Sequence, residues 1–372
     1  MTQTVEQTQP ILLIDLAKAF GGAEVRVLDT AKSLHGRYPY AVATLAGSPL
    51  HQRLEANRLV SLPVPFGRGD GRLLFFLARA IRQAGYRVVD AHNVQSQFWG
   101  HLAAMVAGVP KKISTVHSAY KLEHTGSLKG RLYEQVLRLN AHWGAQFVAV
   151  SEAVQSYLQG LGIHSERIAL IHNSLSLTPL PAAREEHPLL RALGWGKEVY
   201  VVIVVARLEP VKGHIFLLEA LRQLAPARPH LRCLIVGDGR TRADLEAQTR
   251  QAQLQERVHF AGFRDDIPAL LSASDAFCLP SLSEGLPFAL LEACAQRLPL
   301  LVTQVGGMAQ LLTHGHTAFL VPPADPAALA QGLGWLMDHP EAAGRMGQIA
   351  FAYLQQRLNP AEMLNRTLAI YS

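Results

Sequence analysis

Tyr200-Val201-Val202-Ile203-Val204-Val205 runs directly into Ala206-Arg207-Leu208-Glu209-Pro210-Val211-Lys212-Gly213, and a helical pattern follows over about His214–Leu224. The first six residues are almost all β-branched and carry no charge. That is the composition of a strand buried on both faces of a parallel sheet. In an open parallel sheet, ligands bind at the loops that leave the strand C-termini. Arg207 and Lys212 therefore stand at a ligand crest. An arginine offers a planar fork for phosphate oxygens, and a lysine a mobile point charge. Together they suit a diphosphate whose negative charge grows as a bond to it breaks. The plain alternative is a soluble loop whose cations pair with Glu209.

The same alternation extends outward in both directions. Short apolar runs at Ile11–Asp15, Tyr40–Leu45, 87–90, 112–116, 146–150 and 167–171 precede the central run. Runs at 232–236, 257–260, Ala276–Leu279, Leu300–Thr303 and Phe319–Val321 follow it. Helical patterns separate most of them, which predicts an α/β chain with parallel sheets. Composition changes across the Pro-rich, charged stretch 179–187, where the linker between two domains is expected. Two open sheets of this kind predict two Rossmann-like domains whose ligand crests face one another across a cleft.

A second informative stretch is Ser283-Glu284-Gly285-Leu286-Pro287-Phe288-Ala289-Leu290-Leu291-Glu292-Ala293. Proline is tolerated in the first turn of a helix, so a helix is expected from Pro287. Glu284 then lies in the loop before it, and Glu292 about a turn and a half inside. Gly285 lets the backbone come close to a ligand, with the free N–H groups of a helix start behind it. Two carboxylates that accept sugar hydroxyls would flank donors for phosphate. In isolation, two glutamates at this spacing are more often solvated acids of an amphipathic helix.

Several weaker signals sit at other strand ends. Gly21-Gly22-Ala23-Glu24 follows the first strand and opens a helix, a place where backbone N–H groups can reach a phosphate. It is not the glycine fingerprint of dinucleotide-binding folds, which argues against a dehydrogenase. His92 and His117 each stand just past a strand. His117 could bond a sugar hydroxyl or a phosphate oxygen, or simply be satisfied by loop backbone. Gly237 ends another strand and is expected to shape the floor of a nucleotide pocket. Gly262-Phe263-Arg264 follows the next strand, where its backbone could read a base edge; either could be turn chemistry alone.

The bulk numbers exclude several classes. At 372 residues, 49% hydrophobic and 17% charged, the chain can bury a large core in two ordinary domains. It has no run of eighteen apolar residues for a membrane span, and its polar first ten residues lack a basic leader region. Three scattered cysteines, Cys233, Cys278 and Cys294, fit buried thiols in a reducing, cytoplasmic setting. Residues 1–180 carry 18 Lys+Arg against 11 Asp+Glu, a net of +7, while 181–372 carry 17 against 18, a net of −1. The basic half suggests a phosphorylated acceptor or peripheral contact with an anionic membrane, with a solvated basic face as the alternative. The cations are dispersed without interleaved aromatics, so nucleic acid is not expected. Leu73-Leu74-Phe75-Phe76 could insert in a membrane, but such a run more often forms the core face of a helix. No zinc spacing and no Asp-x-Asp occur, so no metal and no cofactor are expected.

The ordered set GGAE, TVHS, ARLEPVKG, VGDG, FAGFRDD and EGLPFALLEA resembles the retaining, nucleotide-sugar-dependent glycosyltransferases of the GT4 family, with the GT-B fold. The likeness spans roughly residues 10–340. It implies an N-terminal acceptor domain over 1–178, a C-terminal donor domain over 179–356, and a last helix, about 357–372, that returns to the first domain. By this resemblance Arg207 and Lys212 hold the donor diphosphate, Glu284 contacts the donor sugar and Glu292 the ribose. Gly285, Leu286 and Pro287 lie at sugar and phosphate, Gly22 approaches the phosphates or the acceptor, and His117 is the active-site histidine. The implied reaction is transfer of a hexose-type sugar to a hydroxyl of a glycan, lipid or small molecule, in cell-envelope glycan or glycolipid synthesis. The rival expectations are a nucleotide-sugar epimerase on the same fold and a non-catalytic donor-binding partner. Three positions depart from the family pattern: Asn173-Ser174 near the hinge, Gln310, and the segment 315–319.

Overall fold

The computed structural model describes residues 9–119, 128–175, 179–180 and 184–372. The chain divides into two compact units, one of residues 1–173 with Pro360–Ser372, the other of residues Ser174–Asn359.

Unit one is a seven-stranded parallel sheet in the order β3-β2-β1-β4-β5-β6-β7. Its strands are β1 (Ile11–Asp15), β2 (Tyr40–Leu45), β3 (Ser61–Val64), β4 (Val88–His92), β5 (Lys111–Val116), β6 (Gln146–Ala149) and β7 (Ile168–Leu170). Between them run α1 (Gly22–Leu34), α2 (Pro49–Ala56), α3 (Arg72–Ala84), α4 (Val94–Ala107), α5 (Leu128–His142) and α6 (Glu152–Gly160). Alternate strand residues point to opposite faces. Ile11 and Leu13 of β1 pack with Val27, Ala31 and Leu34 of α1. Leu12 and Ile14 pack with Leu73, Leu77 and Ile81 of α3 and Ala103 of α4. Both layers are buried, and each fully buried aliphatic side chain stabilises the fold by roughly 1.5–3 kcal/mol.

The strand β3 escaped the sequence reading because Pro63 interrupts it. It forms the edge of the sheet, where a residue with no N–H takes no bond away from the ladder.

Unit two begins with α7 (Pro188–Ala192) and is a six-stranded parallel sheet in the order β10-β9-β8-β11-β12-β13. The strands are β8 (Tyr200–Val205), β9 (Leu231–Val236), β10 (Val258–Gly262), β11 (Ala276–Leu279), β12 (Leu300–Thr303) and β13 (Phe319–Val321). The helices are α8 (His214–Leu224), α9 (Arg242–Gln251), α10 (Ile267–Ser272), α11 (Phe288–Ala295), α12 (Gly306–Leu311), α13 (Pro326–Asp338) and α14 (Pro340–Arg357). Val201 and Ile203 face α11 and α14, while Val202 and Val204 face α8 and α13. The helix expected from Pro287 starts one residue later. Pro287 is its N-cap, with an extended ψ of 132°.

The last helix, α15 (Pro360–Tyr371), belongs to unit one and buries Met363 and Tyr371 on the α1 side of the sheet. The reading placed the linker at 179–187 and a boundary at residue 178, which lies outside the described residues. The structural division falls earlier, between Asn173 and Ser174. Asn173 is held in unit one because its Oδ1 accepts from the buried guanidinium of Arg26 at 2.9 Å.

Candidate functional site

In each sheet the strand order reverses at one point, between β1 and β4 in unit one and between β8 and β11 in unit two. Crossover connections leave these strand pairs in opposite directions, so a crevice opens beyond their C-terminal ends.

Lys212 and Glu284 stand on the two loops that leave β8 and β11. Seventy-two positions apart in sequence, they form an ion pair of 2.6 Å between Nζ and Oε1. Both side chains are largely buried, 15% and 6% exposed. Ser281 Oγ donates to the same carboxylate oxygen at 2.6 Å, and the Ser281 carbonyl accepts from Thr303 Oγ1 at 2.6 Å. The two bonds that end on the Glu284 carboxylate are charge-assisted, a class about twice as strong as neutral ones.

Two glycines fix this geometry. Gly213 has φ +68°, and a Cβ there would lie 2.0 Å from the Pro280 carbonyl oxygen. Gly306 has φ +52°, and its Cβ would lie 1.8 Å from the carbonyl oxygen of Glu284 itself. Any side chain at either position would push the 280–285 loop away. Gly307 N–H adds a bond to Gly285 O at 2.7 Å, and Leu282 N–H one to Val211 O at 2.7 Å.

The other expected donor residues lie on the loops that leave β8, β9, β10 and β11 and on α11. Arg207 is exposed on the loop after β8, two residues past the end of the strand. Glu209 is not its partner, because Glu209 pairs with Arg240 at 2.7 Å. Gly237 follows β9, with its N–H bonded to Gly262 O at 2.8 Å, which ties the β9 and β10 ends together. Phe263 is half exposed just beyond. The guanidinium of Arg264 is engaged twice by Asp266, at 2.8 and 2.5 Å. The Leu286 side chain is in the core. Glu292 is the fifth residue of α11 and half-buried.

Unit one carries a buried polar cluster at its own reversal point. Asp15, the last residue of β1, is fully buried; its Oδ1 accepts from Ala17 N–H at 2.8 Å and Asn93 Nδ2 at 2.9 Å. Its Oδ2 has no partner among the described residues. Burial raises the Asp15 carboxyl well above the ordinary range, and Glu24 adds to the rise. Glu24 in turn accepts from Gly21 N–H at 2.7 Å, so the start of α1, where Gly22 is the first residue, carries its own carboxylate. Beside it His92, the last residue of β4, approaches His117 at 3.1 Å. Asp90 accepts from Thr115 Oγ1 at 2.8 Å and from Tyr371 Oη of α15 at 2.6 Å.

Sequence reasoning missed Asp15, Asp90, Ser281 and Tyr371. Asp15 and Ser281 had a usable signal, since each lies at or just past the end of a strand, whereas Asp90 is the middle residue of β4. Tyr371 had none, because its partner is 281 positions away. Among the described residues no group of three or more His, Cys, Asp or Glu side chains is placed to hold a metal ion. No helix among them is long and apolar enough to cross a membrane. On α3, Leu73 and Leu77 are buried as a core face, whereas Phe75 is 75% exposed. Arg72, Phe75, Arg79 and Arg82 are all exposed and recur at helical spacing on the outer side.

Two family descriptions match the chain, Glycosyltransferase Family 4 over residues 20–178 and Glycosyl transferases group 1 over residues 188–352. The chain is 30% identical over 258 residues to the UDP-Gal:alpha-D-GlcNAc-diphosphoundecaprenol alpha-1,3-galactosyltransferase of Escherichia coli, covering 68% of this chain and 66% of that enzyme. It is 31% identical over 301 residues to EpsF of Bacillus subtilis (strain 168), covering 76% of each. Among solved structures it resembles Anabaena HepE in complex with UDP-glucose, with a TM-score of 0.85 at 25% identity over 97% of this chain and 99% of that one.

Proposed function

The chain belongs to the GT4 family of glycosyltransferases, with the GT-B fold of two Rossmann-like units, and from that premise we propose that it moves a hexose from UDP to an acceptor hydroxyl with retention at the anomeric carbon. The observation that carries the reading is the Lys212–Glu284 pair, set by two loops at the reversal point of one sheet. A diphosphate at that crest would meet Lys212 and Arg207, and the sugar attached to it would meet Glu284. Arg264, already paired with Asp266, is left with a supporting role in shaping the base pocket. Gly237, Phe263, Gly285, Leu286 and Pro287 would contribute backbone or apolar surface, and Glu292 the ribose contact, while Gly22, in unit one, would offer the backbone at the start of α1 to a phosphate or acceptor.

In the reaction the bond between C1 and the diphosphate oxygen breaks, and the nucleotide leaves with the electron pair. The acceptor oxygen forms its bond to C1 on the same face. Its proton passes to the departing diphosphate oxygen. Arg207 and Lys212 stabilise the charge that grows on that oxygen, and losing one such donor costs about 10²–10³ in rate. No pair of carboxylates across the sugar, as in glycosidases, is required.

The uridine base is supported by the UDP-sugar named for the E. coli relative and bound in the Anabaena structure. The acceptor named for the E. coli relative is a lipid-linked sugar diphosphate, and we extend that class to this chain. The exposed stripe of Arg72, Phe75, Arg79 and Arg82 supports it, since it suits peripheral contact with an anionic surface at the inner face of a membrane. The chain should float with phosphatidylglycerol vesicles and sediment with phosphatidylcholine ones. Replacing all four stripe residues with serine should abolish flotation; flotation unaffected by that change removes the stripe from the proposal. The epimerase and non-catalytic readings are not favoured, as the E. coli relative is named for a transfer.

Thermal stabilisation by UDP, GDP, ADP and their common sugars tests the donor site. UDP and a UDP-hexose should raise the melting temperature, and Lys212→Ala should lose that rise, with its ligand-free melting curve as the control for folding. Equal stabilisation of Lys212→Ala and wild type would take Lys212 out of the site.

A further inference from the structure

We propose that Asp90 and His92 are positioning residues that hold His117 in the Nε2–H tautomer, leaving its Nδ1 as a hydrogen-bond acceptor for a ligand hydroxyl. The inference rests on the reading of His117 as a site residue and adds what sets its chemistry. The contacts run inward from His117. Its Nε2 lies 3.1 Å from Nδ1 of His92, so one of these nitrogens carries a proton and the other a lone pair.

Burial keeps both rings neutral. It pushes His92 down to about 3 and His117 well below its ordinary value, and the positive charge of Arg26 adds to both shifts. A neutral imidazole has a single N–H, so a choice at one nitrogen settles the other. The choice falls to the far side of His92, where Nε2 stands 3.7 Å from Asp90 Oδ1, beyond hydrogen-bond distance and without another partner among the described residues, so the carboxylate acts on it through its charge alone.

Both Asp90 oxygens accept hydrogens, from Thr115 and from Tyr371. Burial raises this carboxyl above its ordinary range, and Tyr371, Thr115 and Arg26 pull it back toward the charged form. A carboxylate attracts an N–H and repels a lone pair. His92 therefore turns Nε2–H toward Asp90, its Nδ1 becomes the acceptor, and His117 Nε2–H becomes the donor.

Nδ1 of His117 is then left with a lone pair. It is buried and has no partner among the described residues, as expected of an atom that awaits a ligand or water. A lone pair accepts from a hydroxyl but repels a phosphate oxygen, which has no hydrogen to give. This separates the two ligands that the sequence left open for His117.

Nitrogen-15 NMR of the full chain, labelled in its histidine rings, reads the tautomers directly. Signals of the two rings are assigned by their loss in His117→Gln and His92→Gln. Both rings should carry the proton on Nε2 near neutral pH; a His117 protonated on Nδ1, or on both nitrogens, overturns the inference. In Asp90→Asn the amide no longer repels a lone pair, and the pair should shift at least in part to Nδ1–H forms. Unchanged tautomers there remove Asp90 from the role. Should that variant fail to fold, the wild-type spectrum still decides the tautomer of His117. The measurement needs no substrate, so failure of the nucleotide screen leaves it standing, and a wrong tautomer leaves the donor site standing.

Discussion

His214 is the first residue of α8, two places after Lys212, and only 2% exposed. Neither ring nitrogen has a partner among the described residues. Burial, helped by the charge of Lys212, pushes it from 6.5 down to about 4. The unfolded chain therefore takes up this proton first as the pH falls, and the folded state loses stability through the window from 6.5 to 4. The slope is about 1.4 kcal/mol per pH unit, so roughly 2 kcal/mol is lost by pH 5. Replacing His214 with leucine should remove that part of the acid sensitivity in urea unfolding at pH 7 and pH 5. The same loss in variant and wild type would mean that His214 titrates normally. At this scale the sequence could name Lys212 and Glu284 as chemistry-bearing residues, because residue type and strand-end position suffice for that. It could not show that they bond to one another, since contact across 72 positions depends on the loops between.

The elements that place this pair are the loops after β8 and β11, the first of which carries a single 3-10 turn over Pro210–Lys212. β11 is fully buried and β8 is buried except at its two end residues, and the loops beyond them are pinned by backbone contacts. Gly306, at the start of α12, matters most because its missing side chain makes room for the Glu284 carbonyl. Gly306→Ala should cost roughly 1–3 kcal/mol from backbone strain alone. It should also displace Glu284 and abolish stabilisation by the nucleotide sugar. Gly36→Ala is the control, since Gly36 has a similar φ of +72° with nothing within 4 Å. Loss of ligand stabilisation in both variants, or in neither, would show that the collision with Glu284 is not what matters. The strands β8 and β11 were legible from their apolar runs, and Pro287 marked the start of α11 to within one residue. The edge strand β3 was not legible, because proline is read as a breaker until its place at an edge is known.

At the scale of the whole molecule, the alternation of apolar runs and helical patterns was enough to predict two parallel α/β sheets, which the strand orders bear out. Period and composition are local properties, and a strand buried on both faces announces itself without reference to its neighbours. Residue type and strand-end position likewise marked Arg207, Lys212, Glu284 and His117. Strand order, and with it the two reversal points, was decided only by the tertiary structure. So were the ion pair of Lys212 with Glu284, the buried chain from Tyr371 through Asp90 and His92 to His117, and the attachment of α15 to the first unit. Each of these joins residues far apart in sequence, and its energy exists only once burial has removed water from both partners.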